Sequence, residues 1–217
     1  MDLNLHPVEA RVLGSLIEKE ITTPEYYPLS LNALVNACNQ KSNRDPVVSF
    51  DEETVHDALE LLRNKGLATM VSGAGSRVPK YSHRFAEKLN LGRREIAILC
   101  ELMLRGAQTL GELRSRTERF HRFDDTSEIE RLLERMPEMV VRLPRRPGEK
   151  EPRYAHLLSG PVEMEAEGVS SAAIGRPVED TANLIERTAQ LEDDVSQLRL
   201  EIEQLKRQFS DFRRQFE

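Results

Sequence analysis

The sequence contains no tryptophan, and only 5% of its 217 residues are aromatic. Charged residues, in contrast, make up 31% of the chain. This composition is typical of a helical protein and argues against a β-sandwich, a β-barrel or a carbohydrate-binding surface. At this length, two small domains fit the usual domain size better than one large domain.

Cysteine is also rare, since only Cys38 and Cys100 occur, each among apolar residues of a predicted helix. We therefore expect two buried, reduced thiols rather than a disulfide or a metal site. The five histidines show no ligand spacing with cysteine, and the sequence has no glycine-rich phosphate loop and no nucleophile elbow. These absences predict a protein that is not an enzyme and that holds no cofactor and no metal.

Long apolar segments are missing as well. The N-terminus has no basic region followed by an apolar one, and no apolar run approaches the roughly 18 residues of a membrane span. We therefore expect a cytoplasmic protein without a membrane partner. The net charge of −6 argues against a surface built for nonspecific nucleic-acid binding, although a local basic patch can still attract DNA.

The chain contains an internal repeat that begins with an amphipathic helix. Residues 9–17 match residues 95–103, and in both segments apolar residues recur at the i, i+3, i+4, i+7 spacing of a one-sided helix. A second helix is predicted to begin at Ser30 in the first half and at Thr109 in the second half. The reason is that a Ser or Thr oxygen can accept a hydrogen bond from the first turn of a helix.

A third amphipathic helix follows in each half, with Asp51 and Thr126 as the predicted N-caps. Its buried face is predicted from apolar residues at helical spacing. These residues are Val55, Ala58, Leu59 and Leu62 in the first half and Ile129, Leu132, Leu133 and Met136 in the second half. Each half thus has three short amphipathic helices.

A β-hairpin is predicted after each third helix. The first hairpin pairs residues 68–71 with 79–83, and the second pairs residues 140–143 with 152–156. The second strand of both contains the motif Pro-Lys/Arg-Tyr-x-His, so the tyrosines and histidines of the two motifs occupy equivalent positions. We expect structural roles for them, the tyrosines anchoring each hairpin to its core.

Three helices followed by a hairpin is the order of a winged-helix domain. The sequence therefore predicts a mainly α fold with small β-hairpins, consisting of two tandem winged-helix domains, residues 1–88 and 89–160. Residues 161–180 lack periodicity and are rich in small residues, which predicts a flexible linker. Residues 181–217 are predicted to form a C-terminal coiled-coil helix.

The coiled coil is predicted from apolar residues that alternate at spacings of four and three. Leucines at d positions with β-branched residues at a positions favour a parallel two-stranded coil, so we expect a homodimer. The alternative is a single helix that folds its apolar stripe onto its own domains. The predicted oligomerisation residues are Leu184, Leu191, Val195, Leu198, Ile202, Leu205, Phe209 and Phe212.

Three segments of the first half carry a family resemblance. They are the run Asn-Gln-Lys-Ser-Asn-Arg-Asp-Pro-Val at residues 39–47, the helix segment at residues 6–19, and the Tyr-Pro-Leu-Ser-Leu-Asn stretch at residues 27–32. The chain resembles the YceH-like family of bacterial proteins over nearly its whole length. This resemblance implies tandem winged-helix architecture and a bacterial cytoplasmic location, and it implies no particular activity.

The winged-helix prediction raises the possibility of DNA binding. In the usual docking, the third helix enters the major groove and the hairpin contacts phosphate or the minor groove. Positive charge lies in the loop before the third helix of the first half and on the two hairpins. The candidate nucleic-acid-binding residues are Lys41, Asn43, Arg44, Arg77, Lys80, Arg142, Arg145, Arg146 and Lys150.

Acidic residues on both third helices argue for a different partner, because they repel phosphates at close range. A protein–protein adaptor or scaffold, using the winged-helix surfaces and the coiled coil, is therefore the alternative to a DNA-binding or transcription-regulator-like protein. The basic segments also have structural alternatives. Arg145 and Arg146 fit a solvated turn, and residues 41–44 fit a brace for the loop before the third helix.

Overall fold

The computed structural model of the chain describes residues 3–71, 78–145 and 148–161, all of which belong to one compact unit spanning residues 1–164. This part is mainly helical, with seven α-helices and two small antiparallel sheets. The predicted coiled coil with all its oligomerisation residues lies outside the described residues, as does the predicted linker from residue 162 onward. The same holds for Arg77 and Arg146.

The first half follows the predicted order of elements and adds a third strand. Its strands form one antiparallel sheet in the order β1-β3-β2, in which Leu29 pairs with Tyr81. A short 3-10 helix, Pro24–Tyr26, fills part of the segment before β1. The elements are α1 (Pro7–Thr22), β1 (Leu29–Ser30), α2 (Leu31–Cys38), α3 (Glu52–Asn64), β2 (Ala68–Val71) and β3 (Lys80–His83).

The second half repeats this order after a short helix that the sequence did not predict, α4 (Phe85–Leu89). An isolated bridge between Gln108 and Tyr154 stands where the first half has its β1–β3 pairing. The remaining elements are α5 (Arg93–Arg105), α6 (Leu110–Thr117), α7 (Thr126–Glu134), β4 (Val140–Arg142) and β5 (Tyr154–His156). We call β2–β3 the first hairpin and β4–β5 the second hairpin.

Three of the four predicted N-caps are confirmed. Ser30 Oγ accepts a hydrogen bond from the Ala33 amide at 3.3 Å, Thr109 caps α6, and the Asp51 carboxylate caps α3. The prediction for α7 was wrong by one residue. The cap is Asp125, whose extended backbone lets its carboxylate accept the Glu128 amide at 2.9 Å, whereas Thr126 is the first helical residue.

The predicted buried faces of α3 and α7 are confirmed, since all eight apolar residues are buried. Buried apolar residues of both halves form one continuous core. At its centre α1 packs against α5, where the Cys100 thiol donates to the carbonyl oxygen of Gly14 at 3.4 Å. Both cysteines are buried and free. The domain boundary expected at residue 88 stays a prediction, and its two sides share this core.

Candidate nucleic-acid interface

Arg44, one of the candidate nucleic-acid contacts, is buried. Its guanidinium lies against the carboxylate of Glu18 in α1, donating at 3.0 Å to Oε1 and by a second hydrogen bond to Oε2. It also donates to the carbonyl oxygens of Ala37 at 2.8 Å and Asn43 at 2.9 Å. Because the Arg44 side chain has no exposed surface, it braces its loop and is not part of the candidate interface.

The Glu18 carboxylate also joins the two halves of the chain. Arg119, which follows α6, donates to Glu18 and, at 2.9 Å, to Glu101 of α5. Burial alone would raise the pKa of Glu18, but the hydrogen bond and charge of Arg44, together with the charge of Arg119, hold that pKa below its usual range. The Glu18 carboxylate is therefore ionised at neutral pH, and it fixes the loops before α3 and α7 to the same group.

Further contacts hold the loop of residues 39–50 in place. The Asn39 side chain exchanges two hydrogen bonds with the backbone of Phe50, at 2.7 and 2.8 Å. Arg11 donates to the Pro46 carbonyl at 2.6 Å, and Asn43, with a positive φ of 58°, accepts from Arg105 at 2.6 Å. The Asn43 side chain is thus already hydrogen-bonded within the protein. Of the predicted contacts in this loop, only Lys41 is exposed.

The second hairpin presents the exposed positive charge that the sequence predicted. Arg142, Arg145 and Lys150 are exposed, and none of them forms an ion pair within the described part of the chain. Arg153, in contrast, is paired with Glu112 at 2.8 Å and with Glu149 at 3.2 Å. Among the described residues of this hairpin, Arg142, Arg145 and Lys150 are therefore the cations that are available to a phosphate.

In its described residues, the first hairpin presents less exposed positive charge than the second hairpin. Lys80 is exposed and pairs across the strands with Val71.

The motif histidine His83 is fixed by a hydrogen bond between its Nε2 and Glu20 at 2.8 Å. Its counterpart His156 is enclosed in the second half, where burial lowers the pKa to about 4. The expected structural role of both histidines agrees with these surroundings.

A cleft of about 410 Å³ lies between the loop of the first half and the second hairpin. Its lining brings together Asp45 and Pro46, which follow the predicted contacts at residues 41–44, and residues on both sides of the turn of the second hairpin. Gly106 lies in the cleft with a φ of 70° and open space where a side chain would project. The lining residues are Asp45, Pro46, Arg105, Gly106, Ala107, Leu143, Pro144, Glu149 and Arg153.

The exposed faces of α3 and α7 differ in charge. On α3, Glu53 and Asp57 are exposed, together with Leu61 at 49%. Arg131 of α7 and Arg135, the residue that follows α7, are exposed and form no ion pair among the residues that the structure covers, while the acid Glu134 of α7 is exposed as well. Sequence reasoning counted the acids of α7 and missed these two arginines. The register set by the buried residues was the signal that could have found them.

Within the described ranges, no helix is both long enough and apolar enough to cross a membrane. No group of three or more His, Cys, Asp or Glu side chains within residues 3–71, 78–145 and 148–161 is arranged to hold a metal ion.

These observations define a mainly helical protein whose two similar halves each end in a small antiparallel hairpin. Residues 5–149 match the family model described as "Protein of unknown function, DUF480", and the chain belongs to this bacterial family. It is 59% identical over 182 residues to a UPF0502 protein of Solibacter usitatus, covering 83% of this chain and 87% of that protein. It is 60% identical over 171 residues to a UPF0502 protein of Geotalea daltonii, covering 77% and 78% of the two chains.

Proposed function

We propose that this protein binds double-stranded DNA as a tandem winged-helix, transcription-regulator-like protein of the bacterial cytoplasm. Phosphate contacts come from the second hairpin and from the adjoining loop of the first half. The chain acts as a homodimer through a parallel coiled coil at residues 181–217, and it carries out no catalysis. The YceH-like resemblance of the sequence implies the tandem winged-helix architecture and the cytoplasmic location of this proposal, and it implies no particular activity.

The winged-helix interpretation is supported by the order and pairing of the elements. In each half, three helices precede an antiparallel hairpin, and a residue just before the second helix pairs with the motif tyrosine of the hairpin. The residue is Leu29, opposite Tyr81, in the first half and Gln108, opposite Tyr154, in the second half. This order of a strand or bridge, two helices and a hairpin is the one expected of a helix-turn-helix with a wing.

The observation that carries the DNA proposal is the set of exposed cations on the second hairpin. Arg142, Arg145 and Lys150 lie on one wing, and none is neutralised by a described carboxylate. A wing normally meets the phosphate backbone, where each neutralised phosphate releases counterions and contributes affinity. Lys41 is a further exposed cation, and it belongs to the same loop as Asp45 and Pro46, which line the cleft beside the second hairpin.

A titration tests this proposal directly. The full chain is titrated into a fluorescently labelled duplex of random sequence, at several salt concentrations, and anisotropy is measured. Micromolar binding that weakens steeply with salt is the expected result. The double variant Arg142→Ala, Arg145→Ala should bind all sequences more weakly, and its slope of log K against log salt should fall by about 2, one unit for each phosphate contact.

Lys88→Ala is the matched control for this titration. It also removes an exposed positive charge, but from α4 rather than from the second hairpin. We expect its salt slope to equal that of the unchanged chain. If the control and the hairpin variant weaken binding equally, the hairpin does not hold the phosphates. If the unchanged chain fails to bind DNA even at low salt, the DNA proposal is wrong.

The adaptor function is the second candidate, and the exposed face of α3 favours it. Glu52, Glu53 and Asp57 are exposed on this helix, next to the exposed Leu61. A face that mixes acids with an apolar side chain suits a protein partner better than a phosphate backbone. The same titration separates the two functions, because an adaptor leaves the duplex unbound at every salt concentration.

A further inference from the structure

The third helices of the two halves can be compared position by position. The buried residues Val55 and Leu59 of α3 correspond to Ile129 and Leu133 of α7 in order and spacing, and all four lie in the core. Since the same residues of each helix face inward, the same residues also face outward. The outward positions of one helix therefore have defined counterparts in the other.

Three of the outward pairs in this register remove an acid or add a base in the second half. Glu53 corresponds to Ser127, Asp57 to Arg131, and Leu61 to Arg135, the residue that follows α7. All six residues are exposed. At these three positions the solvent face changes from acidic and apolar in the first half to hydroxyl-bearing and basic in the second half. Other positions keep an acid, with Glu134 matching Glu60, or gain one, with Glu130 matching His56.

The remaining charges of α7 are only partly offset. Glu128 is paired with Arg94 at 2.8 Å, so its charge is offset within the second half. Glu130 and Glu134 stay on α7 as acids, and Glu134 is exposed. On α3, Arg63 is paired with Glu60, and the Asp57 carboxylate lies 3.7 Å from His56 Nδ1.

We propose that DNA is read by the second half alone, with α7 in the major groove and Ser127 and Arg131 contacting base edges. This inference rests on the proposed function. An arginine donates two parallel hydrogen bonds to guanine O6 and N7, and a serine hydroxyl bonds either a donor or an acceptor on a base. Asp57, at the position matching Arg131, cannot make these contacts and faces the phosphates with a like charge, which keeps α3 out of the groove.

The buried state of the native cysteines makes a proximity experiment possible. Cys38 and Cys100 are fully enclosed, and burial raises the pKa of both thiols, so neither reacts readily with a thiol reagent. Ser127→Cys and Glu53→Cys each introduce one exposed thiol at matched positions of α7 and α3. An iron–EDTA group attached to either thiol generates radicals that cut nearby DNA strands, and the unchanged chain is the control without a label.

Cleavage of a bound duplex from position 127 and not from position 53 is the expected result. Cleavage from position 53 as strong as from position 127 overturns the inference while leaving DNA binding established. Absence of cleavage from position 127, in a variant that still shifts the anisotropy of the duplex, overturns it as well. If the unchanged chain does not bind DNA at all, both the inference and the proposed function fail.

A second comparison tests base reading rather than proximity. Duplexes selected by the full chain from a random pool are compared with scrambled duplexes, for Arg131→Ala and for the matched variant Asp57→Ala. Arg131→Ala should reduce the preference for the selected sequence by at least about fivefold, the lower end for one bidentate base contact. Asp57→Ala should leave the preference unchanged. Equal losses in the two variants contradict a reading role for α7.

Discussion

The thiol of Cys100 donates to the carbonyl oxygen of Gly14, and these two residues are repeat counterparts in the first helices of the two halves. The missing side chain of Gly14 lets α1 and α5 approach closely. A Cβ at this position would lie 3.0 Å from Leu104 Cδ2 and 3.3 Å from Met103 Cβ, both tighter than ordinary van der Waals contact. The contact between the halves therefore depends on a glycine.

Gly14→Val should destabilise the chain, because its added methyl groups overpack this crossing. We expect a loss of about 1–3 kcal/mol in the free energy of unfolding, measured by urea titration with circular dichroism. Gly111→Ala is the control, since this glycine is exposed on α6 and a Cβ there would meet only Thr109 Oγ1 at 4.0 Å. Equal stability of Gly14→Val and the unchanged chain would contradict close packing at Gly14.

Glu18→Gln should be more destabilising than any exposed ion-pair variant. It removes the carboxylate that compensates Arg44 and Arg119, and an uncompensated buried charge costs about 3–5 kcal/mol. In the comparison variant Glu87→Gln, which breaks an exposed pair with Arg84, we expect a change of at most about 1 kcal/mol. Similar losses in the two variants would show that Glu18 has no special role in stability.

The difference in stability between the unchanged chain and Glu18→Gln should depend on pH. The folded pKa of Glu18 lies below its unfolded value, so its contribution is present above the unfolded pKa of about 4.3 and is lost as pH falls through the folded pKa. Urea titrations between pH 7 and pH 3 should therefore show the two chains converging at the acidic end. A difference that stays constant throughout this range would be inconsistent with an ionised Glu18.

His156 should make the fold sensitive to mild acid. Its folded pKa of about 4 is lower than the unfolded value of about 6.5, so the unfolded chain binds the proton first. The contribution of the neutral imidazole to the free energy of unfolding is then fully present above pH 6.5, and it declines as pH falls toward 4. His156→Gln should flatten this decline in urea titrations at pH 7 and pH 5. An unchanged decline in the variant would assign it to other groups.

The coiled-coil prediction can be tested through the mass of the chain in solution. Leu191→Asp with Leu198→Asp places charges at two predicted d positions and should convert a homodimer into a monomer. Ser196→Asp, which adds a charge outside the predicted seam, should leave the dimer intact. Sedimentation equilibrium gives the mass of each chain. A monomeric unchanged chain would instead support a tail helix that folds onto its own protein.

The sequence predicted the elements whose causes are local. The buried faces of α3 and α7 follow from helical spacing, and the caps Ser30, Thr109 and Asp51 act within three residues of themselves. The cap of α7 was placed one residue late because Asp125 and Thr126 can both cap, and only the backbone angles decide between them. The five-residue α4 is too short for a periodic signal.

The surroundings of Arg44 were not predictable in the same way. A basic residue in a polar loop looks exposed when only its neighbours in sequence are considered. Its partner Glu18 lies 26 positions earlier in the chain, and Arg119, which shares that carboxylate, lies 101 positions beyond Glu18. Only the packing of α1 against the loop and against the second half brings these charges together. Arg145 and Lys150 lie on an exposed hairpin, so their exposure follows from their neighbours in sequence and does not depend on a distant partner.

The shared carboxylate of Glu18 has a consequence for how such a repeat can change over time. A duplicated module is usually free to diverge, because each copy satisfies its own polar groups. Here Arg44 from one copy and Arg119 from the other share a single acid, so the loss of that acid leaves Arg44 without a buried counter-ion and leaves Arg119 with Glu101 alone. Both halves are therefore affected at once, and their outer helix faces are where they remain free to become different.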